Sequence, residues 1–319
     1  MLYPIRNRFL SAVVSPYGAR LTSLMVPDRE GRIDDVLLGY DTEEAWYQGE
    51  PSMNAIMGRV ANRIRGGEFV LDGVRYVLPC NDGPNCLHGG LRGFHQREWT
   101  VVRQTAAEVR LQYLSPDGEE GFPGNVTIEV SYRLSGRSLF VSCRATTDAA
   151  TLVNLTHHAY FNLCGGTIPV VEDHSLQLFA DTYTAQDSTA CPTGEILSVR
   201  GTPMDFREAV RLGDRLHDSW FAPTRGLNHN FIIRPGSLAA RLSGGGRTME
   251  VYTNQPGLQV YTAGWLAAGI GRGGRRIGPN SAICLEPQCW PDAIHHSHFP
   301  SPVLRPGETY SWQTEYRFL

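Results

Sequence analysis

The chain has 319 residues, with 29 Lys and Arg against 32 Asp and Glu for a net charge of −3, and 41% of its residues are hydrophobic while 19% are charged. That is the composition of an ordinary globular protein with no surplus of positive charge to hold phosphates, so nucleic acid is not an expected partner. The 34 Gly and 20 Pro predict many turns and few long helices.

In chain order, helical periodicity appears first from Thr42 to Tyr47. The segment Gly58-Arg-Val-Ala-Asn-Arg-Ile64 then offers Arg59, Asn62 and Arg63, either as contacts for a polar ligand or as a set that fixes a loop. Phe69-Val-Leu and Val74-Arg-Tyr-Val-Leu flank Asp72-Gly73, a pair that accepts the positive φ of a type I′ turn, so a two-residue hairpin is predicted. Asn85-Cys-Leu-His-Gly-Gly90 places His88 before glycines that let a ligand approach the backbone. Val109, Leu111 and Tyr113 alternate with polar residues, as do Val126 to Leu134 and Leu139 to Ala145, and each reads as a half-buried strand. The run PDGEEGFPG between the first two reads as a loop.

The segment Val153-Asn-Leu-Thr-His-His-Ala-Tyr-Phe-Asn-Leu163 is the most informative. Read as one strand, it turns Val153, Leu155, His157, Ala159, Phe161 and Leu163 to one face. Asn154, Thr156, His158, Tyr160 and Asn162 form the other. A solvated strand would use Lys, Glu and Thr, so this row of uncharged polar groups resembles the floor of a polar-ligand site, with a buried hydrogen-bonded network as the alternative. The spacing selects His158 over His157 for chemistry. A second short helical pattern follows from Phe206 to His217.

Further on, Gln255-Pro-Gly-Leu-Gln-Val-Tyr261 puts Gln259 and Tyr261 on one face. Gly269-Ile-Gly-Arg-Gly-Gly274 fits GxGxxG formally, but no helix or βαβ unit surrounds it, and it reads as a loop. Ala282-Ile-Cys-Leu-Glu-Pro-Gln288 carries a lone carboxylate, Glu286, in an uncharged strand, where it is either paired or desolvated with a shifted pKa. His295-His-Ser-His298 reads as a solvated or site-edge loop rather than a metal cluster, because no carboxylate or cysteine at ligand spacing completes it. Seven Cys, an odd number without a CxxC pair, predict free thiols in a reducing cytoplasm. Neither a leader peptide nor a membrane span is expected. The whole pattern predicts an all-β fold, a large antiparallel β-sandwich with a few short helices.

Taken together, SPYGARLTSLMVPDREGR, GRVANRI, NCLHGG, SPDGEEGFPG, VNLTHHAYFNL, PTGEI, NHNF, TNQPGLQVYT, CLEPQCWPDA and FPSPVLRPGETY resemble, in order, the motifs of the aldose 1-epimerase (galactose mutarotase) family. The resemblance implies one supersandwich domain over residues 1–319, without a cofactor or metal, that interconverts the α and β anomers of a free monosaccharide, as a monomer or homodimer. It implies Glu286 as the general base, His158 as the general acid, and Asn62, Arg63, His88, Tyr160, Asn228 and Gln259 as sugar contacts. Asn228 stands where the family commonly has Asp, and His157 and Pro287 also replace usual residues, so the preferred sugar is left open. The alternatives are a sugar-binding module without chemistry, an epimerase for a modified or phosphorylated hexose, which would need more cations than Arg59 and Arg63, and a glycosidase using Asp292 as a second carboxylate.

Overall fold

The computed structural model describes residues 1–165 and 169–319. Its strands pair antiparallel into three larger sheets and several two-stranded ladders. One sheet has nine strands, in the order Thr100–Gln104, Glu108–Ser115, Val126–Ser135, Ser138–Thr147, Tyr310–Phe318, Arg247–Thr253, Leu238–Gly244, Ser175–Leu178 and Val210–Arg211. A second has five, in the order Pro192–Ser198, Thr182–Gln186, Asn228–Ile232, Gly257–Tyr261 and Cys284–Gln288. A third, four-stranded sheet forms from Tyr3–Arg6, Ser11–Ser15, Arg20–Pro27 and Ile33–Asp35.

The alternation seen in the sequence is what assembles the core. Val126, Ile128, Val130, Tyr132 and Leu134 are buried while their neighbours are exposed or half-buried. They share one apolar cluster with Leu258, Val260 and Leu285 of the five-stranded sheet. That sheet therefore spends one face on the core and turns Asn228, Gln259, Tyr261 and Glu286 to the other. The Asp72-Gly73 turn has φ of 52° and 81° between Glu68–Leu71 and Val74–Val77, the predicted hairpin. Thr42 caps the helix Glu43–Gln48 by accepting from the Ala45 N–H at 3.2 Å. Among the described residues, no helix is long and apolar enough to cross a membrane.

Two expectations need correction. The pattern from Phe206 to His217 yields a helix only at Gly213–Leu216. Its backbone is claimed by the sheet instead: Phe206 C=O accepts from Leu178 N–H, Leu212 N–H donates to His174 C=O, and Val210–Arg211 becomes an edge strand. The segment 153–163 is extended but not one strand. Only Thr156–His157 pairs in a ladder, with Ile56–Met57, and isolated bridges hold the rest. Both of its faces are buried, because it runs between sheets rather than along the surface of one.

Arg59 is not a ligand contact. Its guanidinium donates to Ser115 Oγ at 2.6 Å, Pro123 C=O at 2.8 Å, Pro116 C=O at 2.9 Å and Gly124 C=O at 3.1 Å, and so ties down the Pro116–Gly124 loop. Arg59→Met keeps the stem volume but strands these buried acceptors, and is expected to cost about 3–5 kcal/mol of stability in urea unfolding. A loss below about 1 kcal/mol would show that the loop holds without it.

Candidate active site

A cleft of about 960 Å³ opens over the free face of the five-stranded sheet, and Asn62, Arg63, His88, His158, Tyr160, Asn228, Gln259 and Glu286 all line it. The eight residues that the family resemblance implies for the site thus converge there, from segments more than 200 positions apart, while Arg59 and Asp292 do not line it.

Glu286 and His158 meet because their segments are stapled side by side. Phe161 and Ile283 exchange both backbone hydrogen bonds. Thr156 Oγ1 donates to Pro287 C=O at 2.9 Å, and the Asn154 amide binds the backbone of Cys289, donating at 3.2 Å and accepting at 2.9 Å. Asn162 Nδ2 donates to Ser281 C=O at 3.1 Å. Each step along one segment matches a step back along the other, which sets His158 against Glu286. The polar row has two jobs: Asn154, Thr156 and Asn162 join segments, and His158 and Tyr160 face the cleft. His157, on the opposite face, lies fully buried between the rings of Tyr132 and Tyr316.

His158 Nε2 lies 3.6 Å from Glu286 Oε2. That is longer than a hydrogen bond, so each group gives up water without a full partner in return. Burial consequently holds the Glu286 carboxyl well above its ordinary range and the His158 imidazole well below its own. Both shifts favour one proton shared by an uncharged pair. Tyr160 stacks on His158 with ring centroids 5.0 Å apart, and Tyr261 meets it edge-on at 6.0 Å.

His88 is held by Asn62, whose backbone C=O accepts from His88 N–H at 3.0 Å and whose own N–H donates to His88 Nδ1 at 3.1 Å. Nδ1 is therefore the acceptor, and Nε2 carries the proton. Both residues hold left-handed backbone, with φ of 61° at Asn62 and 52° at His88. For a histidine this is an uncommon conformation, of the kind that clusters at functional sites. The two loops can touch only because Gly89 has φ of 88° and no Cβ, which would overlap Gly58 C=O. Arg63 donates from Nε to Asp82 Oδ2 at 2.7 Å. Gln259 Nε2 donates to Asn228 Oδ1 at 2.7 Å, which leaves the Asn228 amide NH₂ to act as donor.

The sequence reading missed several lining residues: Glu50, Asp82, Tyr183, Asp187, Trp220, His229 and Trp265. Most come from loops with no period to reveal them, while Trp220 lies in a short 3-10 helix and Tyr183 and His229 in short strands. It also missed Cys284, although two-residue spacing puts that thiol on the same strand face as Glu286. The His295–His298 segment is a loop as expected, but a carboxylate does reach it. Asp292 sits 2.6 Å from His295 Nδ1 and 3.6 Å from His296 Nε2, because its left-handed backbone (φ 54°) turns the chain back. Asp292 also accepts from the Arg65 N–H at 2.9 Å and lies outside the cleft lining. Gly269–Ile270 and Arg276–Ile277 form a hairpin around a short turn, so the glycine-rich run is a loop.

A family model described as aldose 1-epimerase matches residues 1–317. The chain is 42% identical over 323 residues to galactose mutarotase from Bos taurus, covering 99% of this chain and 93% of that one. It is 34% identical to aldose 1-epimerase from Escherichia coli K12, covering 98% and 93%. Among solved structures, an aldose epimerase homologue from C. elegans superposes with a TM-score of 0.94 at 33% identity, covering 100% of this chain and 98% of the other. Galactose 1-epimerase from Lactobacillus acidophilus gives 0.88 at 30%, covering 99% and 93%.

Proposed function

The chain belongs to the aldose 1-epimerase family, a family of isomerases, and we propose that its cleft exchanges the anomers of a free aldose through Glu286 and His158. The observation that carries this reading is the buried pair itself, one carboxylate and one imidazole 3.6 Å apart on the cleft floor. Transfer of the pair's one proton from Glu286 to His158 gives carboxylate and imidazolium, and Glu286 then takes the proton of the C1 hydroxyl while His158 protonates the ring oxygen. The C1–O5 bond breaks to give the open-chain aldehyde. Rotation about C1–C2 presents the other carbonyl face, and closure returns both protons. The raised Glu286 pKa brings a carboxylate closer to neutral basicity, which is what a base for a weakly acidic hydroxyl requires.

His88, with Nε2–H free to donate, supports charge near the ring oxygen. Asn62, Arg63, Tyr160, Asn228 and Gln259 supply directional contacts for sugar hydroxyls. Among the described lining residues Arg63 is the sole Lys or Arg, against the carboxylates of Glu50, Asp82 and Asp187, a balance that favours a neutral sugar over a phosphorylated one. The core running from Ile5 to Phe318 supports a single domain, and the free cysteines suit a reducing compartment such as the cytoplasm.

The test is polarimetry on freshly dissolved pure anomers of several aldoses. The protein is expected to accelerate the approach to anomeric equilibrium. Sugar-induced thermal stabilisation with no acceleration over buffer would identify a binding module instead.

Asn228 is the position where the sugar preference can be moved. Asn228→Asp keeps the bond from Gln259 and adds a charged acceptor, so KM for galactose is expected to fall about 3- to 10-fold with kcat little changed. An unchanged KM across the aldose panel would remove residue 228 from hydroxyl recognition.

A further inference from the structure

We propose that Cys284, Glu286 and His158 form a binding site for a soft divalent cation such as Zn²⁺, and that the bound cation excludes sugar from the cleft floor. The thiol, a carboxylate oxygen and an imidazole nitrogen all lie within 4.8 Å of one another, and all three residues are buried. Cys284 and Glu286 share one face of the strand Cys284–Gln288, opposite Tyr261 and Gln259. His158 is delivered to them by the stapled neighbouring segment.

Thiolate, imidazole and carboxylate together are a zinc donor set. With zinc bond lengths of about 2.0–2.3 Å, tetrahedral ligand atoms lie about 3.3–3.8 Å apart. His158 Nε2 and Glu286 Oε2 already stand at 3.6 Å, within that range, and the Cys284 thiol lies within 4.8 Å of both ligand atoms. Glu286 Oε2 is buried without a hydrogen-bond partner, an acceptor waiting for a cation or a sugar hydroxyl. On binding, the Cys284 thiol and the Glu286–His158 pair each release one proton to solvent, and the sulfur, the imidazole nitrogen and the carboxylate oxygen join the metal. Three protein ligands leave a fourth tetrahedral position open, and two of them, His158 and Glu286, line the cleft where the sugar C1–O5 unit would sit.

Cation binding stands on this geometry alone. Only the competition with sugar rests on the proposed function. Co²⁺ added to the intact protein is expected to bind at one equivalent and to give a thiolate-to-cobalt charge-transfer band, which galactose abolishes. Zn²⁺ is expected to slow mutarotation competitively with galactose. In Cys284→Ala the band is expected to vanish and the Zn²⁺ concentration for half-inhibition to rise at least tenfold, about 1.4 kcal/mol. A second binding measurement, calorimetric titration of Zn²⁺ into the wild-type chain with and without galactose, covers the case in which Cys284→Ala does not fold. The proposal is overturned if no band forms, if Cys284→Ala binds Zn²⁺ as tightly as the wild type, or if the metal goes instead to the His295 and His296 loop and galactose leaves it in place. An active enzyme that takes up no Zn²⁺ would remove the cation site and leave the acid–base reading intact. A Cys284-dependent band in a protein without mutarotase activity would do the reverse.

Discussion

Glu286→Gln is expected to lower kcat for mutarotation by about 10²–10⁴-fold while KM for the same sugar changes little. The amide is nearly isosteric and still offers an oxygen, so the sugar is held, but it cannot take a proton from the C1 hydroxyl. His158→Asn is expected to act similarly, because an amide cannot shuttle a proton to the ring oxygen. The two substitutions together should cost little more than either alone, since one proton is passed through both groups and removing either end stops it. Polarimetry or NMR on a freshly dissolved anomer measures all three variants. If each single variant kept more than about a tenth of the wild-type rate, neither residue would belong to the proton transfer.

The second large effect is on stability in mild acid. His95, His157, His174 and His229 are buried, and burial holds their folded pKa values down at about 4, 3, 4 and 4, against an ordinary value of 6.5. Folded values below unfolded ones mean that the unfolded chain binds protons that the native chain refuses. Stability is therefore complete above about pH 6.5 and falls as the pH drops from there toward the folded values. Each histidine contributes a slope of at most about 1.4 kcal/mol per pH unit, and four acting together can exhaust a typical 5–15 kcal/mol within two or three pH units.

Acid unfolding is thus expected to be centred near pH 5, about a unit above where carboxylate titration alone would place it, and to take up more than two protons. Circular dichroism with calorimetric proton counting would measure both. His157→Phe is a direct check: both ring nitrogens of His157 lack partners and its surroundings are aromatic, so the variant should lower the transition pH. Unfolding confined below pH 4 with no proton uptake between pH 6.5 and 5 would refute this account.

Much of the architecture was legible in the chain itself, because a half-buried strand must alternate and an antiparallel sheet shows this directly. Val126 to Leu134, the Asp72-Gly73 turn and the Thr42-capped helix are local consequences of period, φ preference and capping, and each appears where the residues place it. His158 and Glu286 were legible for a related reason, His158 at the centre of a row of uncharged polar side chains on one strand face and Glu286 as the lone carboxylate of an uncharged strand. The pattern at 206–217 misled because competition for its backbone came from His174 and Leu178, at the two ends of the Ser175–Leu178 strand, which no local window contains. For Arg59 the sequence left both readings open, since a guanidinium pointing into a loop and one pointing into a cleft look identical in sequence.

By itself, then, the sequence determined the strand periods, the faces on which His158 and Glu286 project, and the membership that makes the chain an isomerase. The tertiary structure alone decided that Asn154, Thr156 and Asn162 join segments while His158 and Tyr160 face the cleft, that the Cys284 thiol comes within 4.8 Å of His158 as well as Glu286, and that Asp292 belongs to Arg65 and His295 instead. The reason is physical: periodicity records which side of a strand is buried, but which partner a buried polar group finds depends on segments that meet only when the sheets pack.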